Sequence, residues 1–167
     1  MRQSTREKAI DAYDMSFIWE RGIADGKFHP KEIVILEREF KRFLKLVLRD
    51  PGPLAMISKR VDEVWHLFIL FTPQYRAFCK NVMGFFVDHQ PLTSKTPVPI
   101  GAIPNFLSAY RKHFGRLPSV WFEGIDPKLK LLIKKGTVPS ELAFQWSGWT
   151  GARKIADGRQ SHWRETA

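Results

Sequence analysis

With one cysteine, Cys79, in the whole chain, no internal disulfide can form, so the fold cannot depend on one, and a reducing compartment, the cytoplasm, is expected. No apolar run is long. The longest, VWHLFILF over residues 64–71, falls well short of the roughly 20 residues of a membrane span, and the opening MRQSTREKAIDAYDMSF lacks the apolar core of a secretory signal. A soluble protein without a membrane partner is the expectation. Acidic residues are in deficit, 17 against 27 Lys and Arg, for a net charge of +10. Residues 1–50 carry 11 basic and 9 acidic side chains, and residues 51–125 and 126–167 carry 8 and 4 each. The excess is therefore spread out, with no dense basic block and no recognised nucleic-acid motif. A solvated basic surface explains it, and an acidic protein or nucleic acid is the partner class it would favour.

Alternating strand patterns and internal repeats are missing too, and Gly and Pro fall mostly between helical segments, so the class read from the sequence is all-α. Apolar residues make up 44% of 167 residues, enough to bury a core of about five to six helices in one domain over residues 1–150. Residues 151–167 have the polar composition of a flexible basic tail. The clearest helix follows Pro30, where Ile33, Leu36, Phe40, Phe43, Leu44 and Val47 recur at three- and four-residue steps before Asp50-Pro51-Gly52-Pro53 stops it. Upstream, Ile10, Tyr13 and Phe17 predict a helix over 6–23, with Thr5 as its cap and a break near Arg21-Gly22. Phe106, Leu107, Tyr110 and Phe114 predict another, with Pro104 at its start and Gly115 closing it. DPKLKLLIKKG, residues 126–136, reads as a short last helix whose lysines rim an apolar face.

The chemically capable residues gather in VDEVWHLFILFTPQYRAFC, residues 61–79. Ser58 can cap a helix from Lys59 to Phe71, and Thr72 and Pro73 can cap and begin the next. Asp62 and His66, four apart, share one helical face, as do Tyr75 and Cys79. His66 and Cys79 each lie about 10 Å along the axis from the corner at Thr72, so an antiparallel return would bring them level. The loop residue His89 can come back to the same end. Asp62, His66, Cys79 and His89 together offer carboxylate, imidazole and thiolate, a donor set suited to zinc or iron. Their spacing matches no short zinc signature.

Two other readings stand beside the metal one. In the first, Cys79 is a small buried hydrophobe and His66 a neutral core histidine satisfied by Asp62. In the second, Cys79 is a nucleophile activated by a histidine. His29 and His113 read as a helix-start and a helix-surface residue, and His162 falls in the tail.

The series V-D-x-x-W-H (Val61, Asp62, Trp65, His66), Tyr75, Cys79, Gly84 and His89 resembles the uncharacterised domain of plant glycine-rich domain proteins and their bacterial relatives. The later Tyr110, Phe114, Gly115, Pro118 and Trp121 resemble a segment of the bacterial members, so the likeness covers about residues 30–122. It implies that Asp62, Trp65, His66, Tyr75, Cys79 and His89 act as one unit, with Trp65 and Tyr75 supporting the ligands, and it implies no reaction. The plant proteins' glycine-rich region has no counterpart in this chain.

Two functions follow as expectations. One is a helical metal-binding domain of structural role, or of catalytic role if an open coordination position activates water. The other is a non-enzymatic interaction module in which the cluster is a buried polar network. Its contact surface would be LAFQWSGWTG and the basic residues after it: Trp146, Trp149, Arg153 and Lys154.

Overall fold

The computed structural model describes residues 2–50, 52–90 and 101–123, together with 99, 125, 127, 130 and 131. Among the described residues it is all-α, with six helices and no strand: α1 (Gln3–Ala12), α2 (Ser16–Ala24), α3 (Ile33–Arg49), α4 (Lys59–Leu70), α5 (Thr72–Phe78) and α6 (Ala102–Phe114). None of them is long and apolar enough to cross a membrane. The segment 132–167, with Trp146, Trp149, Arg153, Lys154 and the tail, lies outside the described residues, as does most of the helix expected over 126–136.

α3 is the hub, packing on α1, α4 and α6. The three- and four-residue spacing read from the sequence puts Leu36, Phe40, Phe43, Leu44 and Val47 on its buried face, and each such side chain contributes about 1.5–3 kcal/mol by leaving water. A turn of 3₁₀ helix, Pro30–Glu32, starts it: His29 Nδ1 accepts from the Lys31 N–H at 3.2 Å, and the Glu32 carboxylate accepts from the His29 N–H at 2.9 Å. His29 is thus the helix-start residue its position suggested. At the other end Asp50 is extended, as a residue before proline must be, and its carboxylate accepts from the Gly52 N–H at 2.9 Å.

The first helical segment differs from the expectation. It breaks at Tyr13-Asp14-Met15, not at Arg21-Gly22, because the Asp14 carboxylate takes the Ser16 N–H at 2.9 Å and the Ser16 hydroxyl at 3.0 Å, an alternative to continuing the helix. Gly22 stays helical, and the ring of Phe28 fills the space a Cβ would need, so a larger residue would not fit there without a shift. Thr5 is no cap either, since α1 begins at Gln3 with Arg2 before it.

Ser58 does cap α4. Its Oγ accepts from the Val61 N–H at 3.2 Å and donates to the Val120 carbonyl at 2.7 Å, tying α4 to a 3₁₀ turn at Ser119–Phe122. The corner after α4 turns at Phe71, whose backbone (φ −80°, ψ 63°) leaves the helical region, so Thr72 opens α5 as a helical residue instead of capping it. α5 widens into one π turn, Cys79–Met83, which Gly84 ends at φ 79°.

A buried carboxylate joins α3, α6 and the 119–122 turn. Glu39 has no exposed surface. It accepts from Tyr110 Oη (2.5 Å), Trp121 Nε1 (2.8 Å), Arg38 Nε (3.0 Å) and Arg42 Nη1 (3.0 Å). Burial, and then the Glu39 charge, push the Tyr110 phenol up to about 12, so it remains a permanent donor. Tyr110 and Trp121 belong to the later segment whose residue types stood out in the sequence, and this shared acceptor explains them.

Candidate metal centre

α4 carries two groups of unlike environment side by side. Val61, Trp65 and Phe68 face the core without exposed surface, while Asp62 and His66, about 100° around the axis from them, lie on the flank. The chain leaves the π turn, runs through Phe85-Phe86-Val87 and returns along that flank, and there His89 meets α4.

Its path is fixed by Tyr75. The Tyr75 hydroxyl accepts from Trp65 Nε1 at 3.0 Å and donates to the Val87 carbonyl in a short hydrogen bond. Two residues on, the His89 ring lies 5.0 Å from the Trp65 ring and stacks on the His66 ring at 4.4 Å with 29° between planes. His89 Nε2 is 3.2 Å from Asp62 Oδ1, and His66 Nε2 is 3.5 Å from Asp62 Oδ2. One donor atom from each of Asp62, His66 and His89 lies within 4.8 Å of the others. The Asp62 and His89 side chains are 4% exposed and that of His66 52%, so the cluster has a closed floor and a solvent side.

Burial holds the His66 imidazole below its ordinary 6.5 despite the opposing charge of Asp62, with His89 adding to the depression. Neutral His66 is therefore the favoured form near neutral pH. An imidazole Nε2 that bears hydrogen donates to the carboxylate, and one that has lost it offers a lone pair at the same place. The arrangement can thus serve as a polar cluster, with His89 hydrogen-bonded to Asp62 and His66 at ion-pair distance from it, or as a set of three ligands on one side of a cation. Donors about 2.0–2.2 Å from a zinc or iron ion are spaced roughly 3.0–3.5 Å from one another in octahedral or tetrahedral coordination, and the two carboxylate–imidazole separations, 3.2 and 3.5 Å, fall in that range.

The structure brings together three of the four residues expected as ligands and leaves Cys79 outside their group. Helical periodicity is the reason: Trp65, not His66, faces Tyr75, and Cys79 lies behind that pair, buried and unpaired as a thiol. Burial raises the Cys79 thiol above the usual cysteine range, while the Val87 N–H and the Tyr75 hydroxyl beside it work the other way. A protonated, enclosed thiol is a poor nucleophile. The Trp65 ring packs against the His89 ring, and the Tyr75 hydroxyl holds the Val87 carbonyl. The anchoring Val87 backbone was not legible, since no side-chain pattern marks which carbonyl a tyrosine will reach.

No curated protein and no solved structure matches the chain. A family model does, over residues 5–96, a stretch that takes in most of α1, all of α2 to α5 and all three residues of the cluster. On this match, over more than half its length, the chain belongs to the UCP032817-like family.

Proposed function

We propose that the domain binds one divalent transition-metal ion, zinc or iron, through Asp62, His66 and His89. The observation that carries this reading is the convergence of two imidazole Nε2 atoms, from α4 and from the segment after the π turn, on separate oxygens of one buried carboxylate. A carboxylate and two imidazoles suit either ion, and three protein donors with a solvent side leave room for water or a small ligand in the remaining positions. Because the cluster joins α4 to the return segment, the ion would also stabilise the fold.

Thermal unfolding of metal-stripped protein tests this. Zinc or iron(II) at about 100 times its dissociation constant should raise the melting temperature by about 5–10 °C, and calcium should not. His89→Ala should abolish the rise while leaving the stripped protein folded. An equal rise in His89→Ala would place the metal elsewhere, and no rise in the parent would make the cluster a polar network.

A further inference from the structure

We infer a second site, an anion-binding cleft at the C-terminal end of α6 that takes an organic phosphate with a flat apolar group. Arg111 in the last turn of α6, Arg116 and Ser119 just beyond it, and Lys130 line a cavity of about 570 Å³ whose remaining walls are Leu117, Pro118 and Phe122. Three cations therefore face one concavity, and none of the described lining residues is acidic. A groove of similar size, about 580 Å³, provides the contrast. There Lys41 bonds Glu37 at 2.6 Å, Lys45 bonds Asp11 at 2.6 Å, and Arg38 and Arg42 both bond Glu39 at 3.0 Å. In that groove the positive charge is already answered from within the fold. Among the described residues no carboxylate lies within ion-pair distance of Arg111, Arg116 or Lys130.

Like charges gathered around a cleft raise the local potential and favour an anion there, and arginine forks suit the oxygens of a phosphate. The walls add a second preference. Leu117 is buried, Phe122 half-buried, and the Phe122 ring has the Lys130 ammonium 6.0 Å from its centre. An anion alone would leave this apolar side wet, whereas a ring attached to it would cover Phe122 and Pro118. The cleft is independent of the metal proposal.

Isothermal titration with phenyl phosphate and with inorganic phosphate, at low ionic strength on the full chain, tests the assignment. Phenyl phosphate should bind saturably and about tenfold more tightly than inorganic phosphate. Arg111→Gln and Arg116→Gln should each weaken it about tenfold, whereas Lys45→Gln, in the other groove, should leave it unchanged. Both arginines are exposed, and an unchanged melting temperature confirms that the variants fold. Absence of saturable binding, equal affinity for the two probes, or undiminished binding in both arginine variants would each overturn the proposal. So would tight binding of a single-stranded oligonucleotide that phenyl phosphate cannot displace, which would make this face a polyanion surface.

Discussion

Two buried carboxylates, Glu39 on α3 and Asp62 on α4, sit in surroundings of opposite kind. The oxygens of Glu39 meet a phenol, an indole and two guanidiniums, all of which keep their protons at any pH the protein meets. Those of Asp62 meet two imidazoles, whose Nε2 can carry a hydrogen or offer a lone pair. A carboxylate ringed by permanent donors can only hold elements together. One ringed by groups that exchange a proton for a lone pair can hold elements together and also accept a cation. Exposure follows the same division: the Glu39 carboxylate is sealed, while the Asp62 cluster opens to solvent through His66.

The contrast can be broken at either end. Glu39→Leu should have the largest effect on stability, because it leaves the Tyr110 and Trp121 donors buried and unpaired and takes the shared acceptor from Arg38 and Arg42. A loss of about 3–5 kcal/mol is expected in urea denaturation, with metal uptake by the folded fraction unchanged. Tyr75→Phe should be milder for the fold, about 1–3 kcal/mol, since Trp65 Nε1 and the Val87 carbonyl lose their shared partner. It should also weaken metal binding by roughly 10–100-fold in competition titrations, because the segment that positions His89 is no longer pinned. Cys79→Ser should cost about 1–2 kcal/mol for a buried hydroxyl and leave metal stoichiometry intact.

The smallest effect expected is on the pH dependence of the metal-free protein. Folding lowers the His66 pKa, so the unfolded chain takes up its proton first as pH falls. Stability should decline below about pH 6.5 and level off once folded His66 is protonated. His113 is lowered as well, by burial and then by Arg49 and Lys112, so His66→Gln should remove part of this slope and not all of it. An unchanged slope in that variant would mean that His66 does not sense its burial beside Asp62.

Much of this architecture was legible in the residues. The α3 face, the Ser58 cap, the pairing of Asp62 with His66 and the approach of His89 all follow from helical spacing, capping chemistry and the reach of a loop. The position of Cys79 did not follow. Axial distance from the corner makes His66 and Cys79 level, but azimuth decides contact, and only the packed aromatic rings of Trp65, Phe68 and Tyr75 fix which face of α4 meets α5. Glu39 was equally hidden: in E-R-E-F it reads as one more polar residue of an amphipathic helix, and its burial depends on Tyr110 and Trp121, some seventy and eighty residues later. The break at Asp14 was masked by an apolar stripe that continues across it, since periodicity does not register a side chain bonding its own backbone.

Elemental analysis of the purified, untagged protein, with His89→Ala and Cys79→Ser prepared alongside, decides whether the Asp62 cluster holds a metal ion. About one equivalent of zinc or iron is expected in the parent, retained in Cys79→Ser and lost in His89→Ala. A parent that holds no metal even after reconstitution, or metal that leaves with Cys79 and stays without His89, would contradict it.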